Sequence, residues 1–246
     1  MIRLVPALLS LALAAPAASQ TADCPGGPPG WIAARDAGCK LWNGCPQRHQ
    51  EVTWSGACVA GFAEGRGVTR WFSGGTLGET FDGEVRAGKN DGRGVKTWSN
   101  GDRYDGEWRD DKRHGHGSYA WADGDRYDGA WQNDTRHGRG VQTWSNGGRY
   151  DGDWRDDQRH GRGVYAWADG NRYDGEWKND QRHGHGVHAW PDGDRYDGEF
   201  RDDLPNGLGT FVHGGVTYSG TWTNGCFRDG DRWAHIDTTA EQCGFR

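Results

Sequence analysis

Hydrophobic residues are scarce in this chain, at 33% of 246 residues with a mean hydropathy of -0.98. That is too little apolar material for one large closed core. Past residue 19 no stretch is apolar and long enough to cross a bilayer. Cysteine is missing from the whole middle of the chain. The six present, Cys24, Cys39, Cys45, Cys58, Cys226 and Cys243, have no C-x-x-C spacing, so they offer no zinc motif. Basic residues are not in excess either, 29 Lys and Arg standing against 35 Asp and Glu. Electrostatic capture of nucleic acid or of an anionic membrane is therefore disfavoured. Disorder is the rival explanation of low hydropathy, but 15 Trp and 12% aromatic content argue against it.

What the chain has is one unit, repeated. From Tyr104 it reads YDGEWRDDKRHGHGSYAWADGDR, and the pattern returns at Tyr127, Tyr150 and Tyr173, with degenerate copies at Phe81 and Tyr196. These starts are each 23 residues apart, and broken copies begin at Trp54 and Tyr218. A fixed period of this size signals a repeat architecture. Within a unit Tyr104, Gly106 and Trp108 alternate with polar residues, as do Gly115, Gly117, Tyr119 and Trp121, which is the period of a half-buried strand. Triplets such as Ala122 to Gly124 suit a three-residue hairpin loop with glycine in the left-handed region. That loop predicts Tyr119 opposite Tyr127, Gly117 opposite Gly129 and Gly115 opposite Trp131. The link from Arg109 to His114 reads as six residues, placing Trp108 opposite Gly115, with tryptophan rings lying on bare glycine backbone. The expected fold is all-β: an elongated, solenoid-like antiparallel meander of stacked hairpins over 54–225, extending about 80 Å at about 10 Å per unit.

Residues 1–19, MIRLVPALLSLALAAPAAS, have the basic start, apolar centre and small-residue end of a removable export signal. Exported proteins keep disulfides. Cys226 is expected to pair with Cys243, and of the three pairings open to the other four, Cys24 with Cys39 and Cys45 with Cys58 are favoured. The Gly- and Pro-rich segment 20–53 and the tail 226–246 read as caps that shield the terminal strands.

YDGEW, a polar loop, RHG-x-G and an Asp-Gly or Asn-Gly turn together resemble the MORN (membrane occupation and recognition nexus) repeat, and an exported, bacterial-type member of that family is expected. The resemblance covers about residues 54–225, with departures at Ala130, Phe200, Asn206 and Leu208. It implies a β-hairpin array used for binding: a protein scaffold, a dimerisation device or a phospholipid contact. The segments outside the array are too short to hold a catalytic domain.

The carboxylates, such as Asp105 and Glu107, recur in every unit on an open face, whereas an acid–base pair needs two different environments in a cleft. They read as a solvated ladder with Arg103, Arg126, Arg149, Arg172 and Arg195 as cross-strand partners. His114, His137, His160 and His183, with His116, His185 and His188, read as loop-closing and ladder residues before a metal set. No enzyme and no cofactor is expected. The candidate binding face is aromatic: Tyr104, Trp108, Trp121, Tyr127, Trp131, Trp144, Tyr150, Trp154, Trp167, Tyr173, Trp177 and Trp190. Most of these rings should pack on one another, but a single layer cannot hide both faces, so some aromatic surface stays open. The function expected is a non-catalytic interaction scaffold, periplasmic or secreted. Its partner would be a protein or a second copy, or alternatively an envelope polysaccharide stacked on the rings. Phospholipid ranks behind both because removal of Arg3 with the leader leaves 28 basic residues against 35 acidic.

Overall fold

Each unit makes two strands, and glycine decides how they meet. Gly106 and Gly117 face each other across the hairpin, two bare backbones side by side. The Tyr104 ring leans forward along its own strand and covers both: a Cβ would stand 2.5 Å from Tyr104 Oη at Gly106 and 2.3 Å from it at Gly117. Nothing larger than hydrogen fits there. The same arrangement repeats for Tyr127, Tyr150, Tyr173 and Tyr196.

The structure is a computed structural model that describes Cys24 and residues 27–245; the export signal read at residues 1–19 lies outside the described residues. Its strands are β1 Gly30–Ala33, β2 Lys40–Asn43, β3 Gln50–Trp54, β4 Ala57–Val59, β5 Phe62–Ser73, β6 Thr76–Arg86 and β7 Lys89–Trp98. The regular units follow: β8 Arg103–Arg109, β9 Lys112–Ala120, β10 Arg126–Gln132, β11 Thr135–Thr143, β12 Arg149–Arg155, β13 Gln158–Ala166, β14 Arg172–Lys178 and β15 Gln181–Ala189. The array closes with β16 Arg195–Arg201, β17 Leu204–His213, β18 Val216–Thr223, β19 Cys226–Asp229 and β20 Arg232–His235. From β5 to β20 every strand pairs antiparallel with the next, an all-β meander of stacked hairpins.

Between units the register is the one the three-residue loop requires, with Tyr127 opposite Tyr119, Gly129 opposite Gly117 and Trp131 opposite Gly115. Gly124 takes the left-handed region at φ 100°. Within a unit the expected six-residue link is replaced by a two-residue turn. Asp110 and Asp111 have φ of 48° and 66°, and the Asn-Asp and Asp-Asp pairs of the following units are likewise left-handed, which is the turn that matches strand twist. Trp108 consequently faces Arg113 rather than Gly115, and the two surplus residues, Gly115 and His116, form a bulge. Because the shift is by two residues, no side chain changes face.

Tyrosine, not tryptophan, therefore sits on the glycines. The reason is position: Tyr104 precedes Gly106 on the same face and can lie over it, while Trp108 follows and leans over the preceding strand, β7. Its Nε1–H donates to the Gly94 carbonyl at 3.1 Å, and Trp131, Trp154 and Trp177 donate likewise to Gly117, Gly140 and Gly163. Each tyrosine meets two rings edge-on: Tyr104 meets Trp108 at 5.1 Å and Trp131 at 5.5 Å, Tyr127 meets Trp131 at 5.1 Å and Trp154 at 5.6 Å, and at Tyr173 and Tyr196 Phe200 is one of the two. Edge-to-face pairs add about 0.5–1.5 kcal/mol each beyond burial. The core is thus a zigzag of rings running from Phe81 to Trp222.

At the N-terminal end β3 and β4 both pair with β5, and β2 touches β5 in parallel at Lys40 opposite Phe62. Here the preferred cysteine pairing fails: the bonds are Cys24–Cys45 and Cys39–Cys58. Pairing of β1 with β2 brings the chain before β1 beside the chain after β2, so Cys24 meets Cys45. The turn of that hairpin lies against β4 and β5, so Cys39 meets Cys58. Cys226–Cys243 ties the tail to β19 as expected.

Gly163→Ala should lower stability by about 2 kcal/mol through overpacking against the Tyr150 ring, read as a shift in the urea midpoint. An unchanged midpoint would place the ring elsewhere. A non-reducing peptide map should recover Cys24–Cys45, Cys39–Cys58 and Cys226–Cys243 as separate linked fragments.

Candidate functional site

The ring zigzag is a single layer, so something must cover it. The cover is arginine. Arg113 places its guanidinium 4.3 Å over Trp131, Arg136 lies 4.2 Å over Trp154, Arg159 4.3 Å over Trp177 and Arg182 5.3 Å over Phe200. Each is held by the turn aspartate of the following unit. Arg113 Nε donates to Asp134 Oδ1 at 3.1 Å and Nη2 to the Asp134 carbonyl at 2.8 Å, with the same pattern at Asp157, Asp180 and Asp203. The same aspartate accepts the Arg113 backbone N–H at 2.9 Å. That bond explains an acidic residue where glycine would suit the backbone better. The arginine side chains are only 10–22% exposed. This rail was missed in the sequence, although an Arg two residues after a turn Asp, recurring every 23, was its signal.

Beside the rail runs a groove. Its floor is Tyr119, Gln142, Tyr165, His188 and Phe211, one per unit, and between them stand Trp98, Trp121, Trp144, Trp167 and Trp190, each half-buried. Neighbours touch: Trp121 lies 4.4 Å from Tyr119, Trp167 4.4 Å from Tyr165, and His188 stacks 4.1 Å from Trp190 at 16°. A cavity of about 460 Å³ opens over Tyr165, Trp167, His188 and Trp190, one of about 450 Å³ beside Trp71 and Trp98, and one of about 950 Å³ at the C-terminal end.

Eight of the twelve rings read as a binding face are core. Tyr104, Tyr127, Tyr150 and Tyr173 are 0–1% exposed, and Trp108, Trp131, Trp154 and Trp177 no more than 5%. A ligand reaches only Trp121, Trp144, Trp167 and Trp190. The tyrosine hydroxyls are pushed up by burial and donate to backbone, as from Tyr104 to Glu107 O at 3.1 Å.

On the opposite face the arginines find partners on their own strand, not across it. Arg103 meets Asp105, Arg149 Asp151, Arg172 Asp174 and Arg195 Asp197, at 2.7–2.8 Å, since residues two apart share a face. Arg126 makes no ion pair among the described residues, its Asp128 being engaged by Ser118 and His116. These pairs are about half exposed and contribute little. His185 reaches Asp197 at 3.2 Å, while His114 Nδ1, His137 Nδ1 and His160 Nδ1 are buried without a hydrogen-bond partner among the described residues.

His188 differs from the other histidines. Burial, and then the adjacent Arg182, push its imidazole down to about 4, against the opposing pull of Asp237 and Asp169. Arg182 Nη1 lies 2.8 Å from His188 Nδ1, and Arg182 also binds Asp203 and Asp237.

The MORN repeat family model matches residues 59–76, 81–103, 104–126, 127–149, 150–172, 173–195 and 196–214. No curated protein matches the chain. Among solved structures it is similar to the SAS-4 (dCPAP) TCP domain of Drosophila melanogaster, solved in complex with a proline-rich motif of Ana2 (dSTIL). The identity is 12% over 90% of this chain and 99% of that one, and the TM-score of 0.35 is too low to equate the two folds.

An unfolded chain protonates a histidine near 6.5 and the folded chain protonates His188 only near 4, so stability is lost as pH falls through that window. Against His188→Tyr, the residue of the units at Tyr119 and Tyr165, the parent chain should lose about 1–2 kcal/mol between pH 7 and pH 4.5, solvent screening having reduced the full linkage. Asp111, pushed up to about 6 by burial, acts in the opposite direction but is common to both proteins and cancels. Parallel urea titrations at the two pH values measure the difference.

Proposed function

The chain belongs to the MORN repeat family, and from that premise we propose that it is a non-catalytic, exported binding scaffold whose groove holds an extended polypeptide segment. One observation carries the reading: Trp121, Trp144, Trp167 and Trp190 stand partly exposed in a line, one per unit, above a floor that is closed by rings and guanidinium groups. Core rings at these places would be covered, and purely solvated positions would not carry indole. Half-buried tryptophans with polar groups beside them are the side chains that dominate the energetics of protein contacts. Export is supported by the leader pattern at 1–19 and by the absence of free cysteine among the described residues. The rigid, glycine-locked sheet keeps the row straight in advance, which limits the ordering cost of binding.

A specific feature favours envelope polysaccharide as the second reading: indoles recur at about the span of two strands, about 10 Å, a spacing on which every second sugar ring of an extended chain could stack.

The mature chain, immobilised and exposed to envelope extract, should retain a protein, which mass spectrometry identifies. The triple replacement Trp121→Ala, Trp144→Ala, Trp167→Ala should lower its affinity by at least tenfold, about 2 kcal/mol per anchoring indole being available, with the melting transition kept. Retention unchanged by the replacement would move the partner off the groove. Quenching of tryptophan fluorescence by isolated cell-wall polysaccharide, with no protein retained, would transfer the function to the second reading.

A further inference from the structure

Every regular unit brings its own cation to the groove floor. Arg113 stands 5.2 Å over Tyr119, Arg136 Nη1 donates to Gln142 Oε1 at 3.2 Å, Arg159 stands 5.2 Å over Tyr165, and Arg182 Nη1 lies 2.8 Å from His188 Nδ1. In the next unit the floor residue is Phe211, and 23 residues after Arg182 stands Pro205. Among the described residues no guanidinium lies over Phe211. There the groove opens to about 950 Å³, against about 460 Å³ over Tyr165 and His188, where the cations are in place.

The walls of this cavity are Trp190, Phe211, Tyr218 and Trp233, on β17, β18 and β20 and the turn after β15. Four carboxylates line it, and two are committed, Asp194 to His213 and Asp237 to Arg182. Asp192 and Asp231 are exposed and make no ion pair among the described residues. The cavity's own Arg232 is committed at one wall, its guanidinium over the Tyr218 ring at 5.4 Å and donating to the Thr217 carbonyl, which leaves the rings of Trp190, Phe211 and Trp233 without a guanidinium over them among the described residues. Ring faces attract a cation through their quadrupole and the carboxylates of Asp192 and Asp231 through charge, the first having only the Asp194 backbone N–H on Oδ1, whereas an anion would meet both unfavourably. A planar guanidinium suits stacked rings better than a compact ammonium does.

We infer that this cavity receives the guanidinium of an arginine carried by the bound segment of a protein partner, in the role that rail arginines fill in the four preceding units. The inference rests on the binding-scaffold reading and adds one side chain of the partner to it.

The test uses the full mature chain and two small probes, acetyl-arginine amide and the isosteric but uncharged acetyl-citrulline amide, followed by indole N–H chemical shifts. The arginine probe should shift Trp190 and Trp233 saturably, with the citrulline probe at least tenfold weaker. Asp192→Asn combined with Asp231→Asn should weaken the arginine probe about threefold or more. Trp233→Ala, at a ring already 45% exposed, should cost about threefold with the fold retained. Equal shifts from the two probes, or none at about 10 mM, a concentration that detects even millimolar affinity, would overturn the assignment. Partner capture through Trp121 and Trp144 with no response to the arginine probe would leave the scaffold standing and remove this site. Probe binding with no protein captured would do the reverse.

Discussion

A tyrosine ring lying on two paired glycines is the interaction from which everything else in this protein follows. The pair lets the ring descend to the backbone, so that a sheet of one layer acquires a buried stratum without a second sheet above it. Once Tyr104 is fixed, its edge and face dictate where Trp108 and Trp131 can stand, and each indole N–H is then within reach of a glycine carbonyl of the preceding unit. Adding a methyl at one glycine disturbs a tyrosine, and through it two tryptophans belonging to different units. Nearest-neighbour coupling of this kind is how a chain with so little apolar material sustains an ordered array.

The second coupling is electrostatic and lies on the edge where the tight turns emerge. A left-handed aspartate serves as turn residue, as acceptor for the backbone N–H of the previous unit and as anchor for the arginine that covers the rings. The partly buried guanidinium is therefore a wall of the core as much as a charge, with its hydrogen bonds satisfied from one carboxylate and one carbonyl. Where the rail ends, at Arg182, the tail takes over. Asp237 reaches back to Arg182, and Phe227 packs 5.3 Å from Trp222. The disulfides stand at the two ends, where neighbours run out and edge strands would otherwise lie open.

The groove is a by-product of this construction that the sequence has left unfinished on one side. A unit needs one tyrosine and one tryptophan for its core; the second tryptophan, at 121, 144, 167 and 190, packs against the outside of that core and stays partly in solvent. Floor positions vary among Tyr, Gln, His and Phe while the core positions hardly change. A surface that varies along a fixed frame is what distinguishes one scaffold from another.

The period of 23, the strand alternation and the glycine of the connecting loop determined the all-β meander and its inter-unit register from residue identities alone, because those are local matters of backbone conformation and side-chain direction. The Cys226–Cys243 bond was legible for a similar reason, both residues lying isolated at one end. What only the tertiary structure decided was relational. Alternation puts a Tyr, a Gly and a Trp on one face without saying which ring occupies the glycine, and a charged loop string does not reveal that two of its residues make the turn or that its arginine answers to an aspartate 21 residues on. The split of the aromatic face into eight buried rings and four reachable ones, and the crossed pairing of Cys24 and Cys39, depend on which strands lie side by side. That adjacency is set by packing across the sheet, and no stretch of chain carries it alone.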